Sequence, residues 1–136
     1  MTRVAVRLAM LVLCVLSIGR APLAQGKAFP VIGATYQIDR AKYPGKIAIC
    51  ATGAAMTKYM DAKFKGDHAA ANRMVIVVST NSDVARLEKL KACTLISSSS
   101  QATIVAKGVE SHKATFAAFP FNQMWGYYLY FGGIVK

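Results

Sequence analysis

The stretch "RMVIVVSTNSDVARLEKLKACTLIS" (73–97) decides how the rest of the chain is read. Its first seven residues, 73–79, are short, continuous and β-branched, the signature of a buried strand. Residues 80–91 place Val84, Leu87 and Leu90 on one helical face, with Asn81 or Ser82 positioned to cap the helix. "CTLIS" (93–97) is then a second apolar strand. Strand, helix and strand in succession predict a parallel pairing with a helical crossover.

The same alternation continues outward. Upstream, "KIAICA" (46–51) is an apolar run bounded by glycines and reads as a strand. "GAAMTKYMDAKF" (53–64) sets Met56, Tyr59, Met60 and Phe64 at helical spacing, a stripe that reads as core. "KGDHAAAN" (65–72) reads as a loop, and "TYQIDRAK" (35–42) as a short helix stopped by "YPG". Downstream, "SSSQATIVAKG" (98–108) begins with capping residues and ends in glycine, a helix with β-branched residues inside it, and "KATFAAF" (113–119) reads as a fourth strand. The expected fold is a single α/β domain, β-α-β-α-β-α-β, with a mostly parallel sheet and helices on both faces. Residues 116–133 hold eight of the 13 aromatic side chains. They either close the core as a last strand or form an exposed aromatic surface.

The N-terminus has a different character. A basic "MTRVAVR", a twelve-residue apolar run (8–19) and small residues up to Gly26 have the layout of a secretory signal peptide, residues 1–26, with cleavage expected after Ala24 or Gly26. An uncleaved segment would act instead as a membrane anchor. The mature domain is then 27–136, its expected location is the periplasm, and its 14 basic and six acidic residues give about +8, against +11 for the whole chain. Such a surface suits anionic lipid or an acidic protein, and export disfavours nucleic acid. The cations are scattered, with no run of five or six, which is the pattern of a solvated basic surface. Cys14 leaves with the signal, and Cys50 and Cys93 remain.

Little in the chain resembles catalytic machinery. His68 and His112 are 44 residues apart, outside any metal-binding spacing, and both read as surface residues. No nucleophile elbow surrounds the serines at 79 or 97–100, and no phosphate-binding glycine motif or cofactor signature is present. Asp39, Asp61, Asp67, Asp83, Glu88 and Glu110 are all the carboxylates, and Asp83 and Glu88 read as helix-surface charges. In a parallel sheet, Thr52, Gly53, Ser79, Thr80, Asn81, Ser98 and Ser99 would share the edge formed by the strand C-terminal ends. They are there either as a small-ligand cleft or as ordinary helix caps. Cys50 and Cys93 are either a disulfide or two buried thiols. Adjacent parallel strands would set them near opposite ends, so a bond requires a bent register or a strand-to-loop arrangement.

Several segments together resemble the YfiR-like family of small periplasmic proteins. They are "YP" (43–44) where the family has Trp-Pro, "IAICATG" (47–53), "KFKG" (63–66), "RMVIVV" (73–78), "LEKLKACTLISSSS" (87–100) and "FGGIV" (131–135). The family runs on past its Gly-Gly into a last hairpin, and those members with a second cysteine pair place it in the C-terminal part. Neither follows here, so a truncated or divergent C-terminal part is expected. The resemblance implies a non-enzymatic regulator that binds the periplasmic part of an inner-membrane diguanylate cyclase and holds it inactive. In that family cysteine redox state influences repression, and Cys50 and Cys93 match the two strand cysteines. A second copy of the chain is a further expected partner. The alternative is a periplasmic solute-binding module using the cleft residues above.

Overall fold

The computed structural model describes residues 29–122 and 126–135; the expected signal peptide and Trp125 lie outside them. The chain divides between residues 31 and 32, and everything below concerns the second unit. Its elements are β1 (Thr35–Ile38), β2 (Lys46–Cys50), α1 (Gly53–Phe64), α2 (His68–Arg73), α3 (Asn81–Lys89), β3 (Cys93–Ser97), β4 (Gln101–Ala106), β5 (Ser111–Phe116), β6 (Tyr127–Tyr130) and β7 (Ile134–Val135). No helix among the described residues is long and apolar enough to cross a membrane.

The seven strands form one sheet in the order β3-β2-β6-β5-β4-β1-β7, and every pairing is antiparallel. This overturns the expected mostly parallel α/β sheet. The misleading signal was burial on both faces. All of Ile47, Ala48, Ile49 and Cys50 are buried, which in a parallel sheet would be routine. Here Ala48 and Cys50 pack beneath Ala55, Met56 and Tyr59 of α1. Ile47 and Ile49 lie on the opposite face with Tyr127 and Leu129, where the sheet curls until Gly133 reaches Ile47 and where Glu88, four residues after Val84, accepts from the Tyr127 hydroxyl. An apolar run records that both faces are covered, not what covers them.

The curl follows from the length of one connection. Strands β6 and β7 are four positions apart, about 19 Å in a flat sheet with strands about 4.8 Å apart. Only residues 131–133, a 3-10 turn, join them, and four Cα steps reach at most about 14 Å. The sheet must therefore bend until its β7 edge approaches its other half. Gly133 sits in that bend, where an added Cβ would lie 3.0 Å from Ile47 Cδ1 and 3.2 Å from Leu129 Cδ1.

The remaining corrections have local causes. Residues 35–38 are a strand rather than a helix: Thr35, Tyr36 and Gln37 pair with β4, and Ile38 is buried against β7. Residues 101–106 are likewise a strand. Buried Ala102 and Ile104 alternate with more exposed neighbours, and the β-branched Thr103, Ile104 and Val105 suit it. The expected loop at 65–72 contains α2, whose alanines are capped by the Asp67 carboxylate accepting from Ala70 N–H at 3.1 Å. Of the expected strand 73–79, only Val75 makes a bridge, parallel to Cys93, and Val77 is 82% exposed. The β-α-β unit thus survives as a single rung. Helices α1 and α3 stand as expected, but Thr80, not Asn81 or Ser82, caps α3 through a reciprocal box with Asp83. The aromatic segment divides its roles. Phe116, Phe119 and Tyr127 are core, while Phe131 is half exposed.

Replacing Gly133 by valine should lower stability by about 1–3 kcal/mol through overpacking against Ile47 and Leu129. Thermal melts of the variant check this, and trimming Ile47 to alanine in the same chain should relieve the crowding. An unchanged melt would mean that the bend is looser than described.

Candidate functional site

Cys50 and Cys93 are disulfide-bonded, with Cα atoms 3.9 Å apart and direct partners in the β2–β3 register. The antiparallel arrangement removes the end-to-end objection that a parallel sheet would raise. The neighbouring pair carries the backbone bond, Ala51 N–H to Ala92 O at 3.0 Å, which makes Cys50–Cys93 a non-hydrogen-bonded pair, the closer kind. The backbone of Cys93 turns the other way: its N–H donates to Met74 O at 2.8 Å and its carbonyl accepts from Ile76 N–H at 2.9 Å. Cys50 pairs on its far side with Tyr128 of β6. Both cysteines are 0% exposed beneath α1 and Ala71 of α2. A thiol must reach a sulfur to exchange with it, so reduction requires α1 to lift first.

Beside this crosslink, a cleft of about 530 Å³ opens between the start of α1, the 73–76 segment and the end of α3. Lys58, Arg73, Arg86 and Lys91 line it, with no carboxylate. Thr52, Ala55 and Ala92 form part of its wall, and Met74, Ile76 and Leu90 add an apolar side. Asp83, the acid at the start of α3, is already committed. The N–H groups of Ser79 and Thr80 are the main reason its carboxyl stays below the usual range, with the Thr80 hydroxyl and Arg86 adding to the effect. Lys91 has φ +49°, the left-handed region. It occupies the position after the α3 cap where glycine is usual, with Lys91 N–H on Glu88 O and Ala92 N–H on Leu87 O. An adjoining cavity of about 380 Å³ shares Thr52 and Lys91 and adds Lys113. Its carboxylate, Glu88, accepts from the Tyr127 hydroxyl at 2.9 Å.

The residues expected to share one sheet edge do not converge. Thr52 lines the cleft and caps α1, accepting from Ala55 N–H at 3.0 Å, and Gly53 packs against Tyr128. Ser98 and Ser99 lie at the opposite end of the sheet, beyond the Lys46–Ser97 pair, where Ser98 N–H donates to Gly45 O. Ser79, Thr80 and Asn81 start α3 and line none of the described cavities. An antiparallel strand reverses which end its last residue reaches, so the notional edge was an artefact of the parallel reading. The four cations were individually visible in the sequence. Only the fold gathers them, since they come from three helices and the turn after α3.

His112, read as a surface residue, is 7% exposed in β5 and accepts Gly108 N–H at Nδ1, 3.2 Å away. Burial, and secondarily the Lys107 charge, hold its pKa below the usual imidazole value. His68 opens α2 and is exposed as expected. No group of three or more potential metal ligands gathers among the described residues. No family model, curated protein or solved structure matches the chain.

Two outcomes follow. Replacing both cysteines by alanine should cost about 4 kcal/mol on loop-entropy grounds for a 43-residue separation, read from urea denaturation. In the native protein neither sulfur should react with an alkylating reagent under mild reductant. For His112, the folded pKa lies below the unfolded one, so the unfolded chain binds more protons between the two values. The stabilisation is complete above about pH 6.5 and is lost as pH falls through the folded value. Denaturation midpoints should therefore rise with pH as neutrality is approached from the acid side, and the His112→Gln variant should flatten that rise.

Proposed function

We propose that the protein is an exported regulatory module that binds an acidic, partly apolar segment of a membrane-bound sensor in the cleft beside Cys50–Cys93. In the form suggested by the YfiR-like resemblance, the sensor is an inner-membrane diguanylate cyclase whose periplasmic part is held inactive. The observation that carries the reading is the cleft itself, with four cations from α1, α2, α3 and the turn after α3, no carboxylate and an apolar wall. Attraction between complementary charges raises encounter rates and rejects basic partners, and the apolar wall adds area that a free anion would not use.

Two further features support it. A buried disulfide suits an oxidising compartment. Lys91 keeps a cation in a left-handed position that disfavours side chains, and such outliers concentrate at working sites. The redox sensitivity implied by the resemblance enters here as a structural coupling. The bonded pair fixes β3, which anchors the 74–76 wall of the cleft, so reduction would loosen the wall rather than expose a reactive thiol.

The test is capture of a cyclase periplasmic domain by the oxidised protein at low and high salt. Arg86→Glu with Lys91→Glu should weaken binding at least about tenfold, the equivalent of roughly 1.4 kcal/mol. Lys91→Gly is more discriminating, because it should keep or raise thermal stability while still weakening capture. Binding that ignores both changes, or no binding under oxidising conditions, would remove the proposal.

A further inference from the structure

On a different face of α1 lies a smaller cavity, of about 210 Å³, whose chemistry is the reverse of the cleft. Phe64, Tyr130 and Phe131 form its aromatic walls, with Met56 and Met60 beside them, and Asp61 and Glu110 complete the lining together with Thr57. The chain has 17 basic residues and six acidic ones, yet this lining takes two of the six acids and none of the bases. We propose that this cavity binds an alkylated ammonium group, of the kind carried by choline-type compounds.

The geometry points to that class of ligand in three ways. The rings are set edge to face, Phe64 on Tyr130 at 5.8 Å and 68°, Tyr130 on Phe131 at 4.7 Å and 61°. A ring attracts a cation at its face and repels it at its edge, so it is the ring faces bordering the cavity, set at steep angles to one another, that would hold the cation. The Tyr130 ring is within reach of a cation, since Lys42 Nζ lies 5.9 Å from its centre, and a bound ligand would share that ring with Lys42. Phe64 is 68% and Phe131 48% exposed, apolar surface that folding leaves uncovered and a methylated cation would cover.

The polar groups argue against the alternative cations. Calcium takes six to eight oxygen ligands, and the side chains here offer two carboxylates and one hydroxyl, with no group of three potential metal ligands among the described residues. The Thr57 hydroxyl already donates to Glu110 Oε2. A bare ammonium would need three acceptors in fixed directions. A quaternary or methylated nitrogen needs few or none, and its charge is balanced through space by Asp61 and Glu110. The frame is rigid enough to hold such a shape. Phe131 N–H donates to Glu110 O at 2.9 Å, and Ser111 pairs with Tyr130 across β5 and β6, which ties the acid-bearing turn to the aromatic one.

The experiment is a titration of the full oxidised protein with choline chloride, followed by tyrosine fluorescence and by NMR of the aromatic resonances, with potassium chloride as the control. Saturable shifts confined to choline are expected. Phe64→Leu keeps apolar volume but removes a π face, and Asp61→Asn removes a charge. Each should weaken choline binding about tenfold, in the range of one strong cation–π contact, while leaving the melting temperature nearly unchanged. Phe64→Tyr should retain binding. Phosphatidylcholine vesicles form a second arm: cosedimentation that free choline competes away identifies a lipid headgroup as the source, and choline binding without cosedimentation identifies a free solute. No saturable choline response, an equal response to potassium, or binding indifferent to Phe64→Leu would each overturn the assignment. The cationic cleft is untouched by these variants, so its test stands separately.

Discussion

The fold turns on one cross-strand pair. Cys50 and Cys93 face each other where β2 and β3 make no backbone hydrogen bonds, so the side chains alone join the strands at that rung. This leaves the Cys93 backbone free to hold Met74 and Ile76, the one parallel contact in an otherwise antiparallel sheet. Sheet, edge segment and helix α1 therefore meet at a single buried crosslink. A long loop closed at such a junction restrains the unfolded chain strongly while adding little volume to the core.

The second constraint is the brevity of the β6–β7 link. Three residues cannot span four flat sheet positions, so the sheet curls, with Ile47, Ile49, Ile96 and Leu129 buried on the face turned away from α1 and Ile134 buried at the β7 edge. Helix α1 covers Ala48 and Cys50 on the outer face, and α3 reaches the other face, where Glu88 accepts from the Tyr127 hydroxyl. Curvature, together with α3, thus does for one face what α1 and α2 do for the other. It also frees the remaining surface of α1 for other uses.

Those uses differ in sign. On one side of α1, cations from three helices border the cleft, and on another, two of the few carboxylates stand among aromatic rings. In a chain of net charge +11 the basic cleft needs little explanation by itself, whereas the acidic, aromatic cavity runs against the average composition. Segregating the signs on separate faces keeps the two linings from neutralising each other, as the proposed acidic partner and cationic ligand would require.

Much of the local structure was legible in the sequence. The apolar strands at 46–50 and 93–97, the helices at 53–64 and 81–89, and the pairing available to Cys50 and Cys93 all follow from residue pattern. The sequence could not distinguish burial under helices from burial under a curled sheet, because an apolar residue in contact with either has the same composition. It could not place β1 and β4, where "TYQIDRAK" and "SSSQATIVAKG" combine helical end signals with β-branched interiors that pairing partners resolved. Nor could it gather Lys58, Arg73, Arg86 and Lys91, or Asp61 and Glu110, since those neighbourhoods exist only once strand direction is fixed. By itself the sequence determined which residues seek burial, and left Cys50 and Cys93 as either a disulfide or two buried thiols. Tertiary structure decided the direction of the strands, because direction is set by connection length and backbone pairing, and with it which charges share a surface.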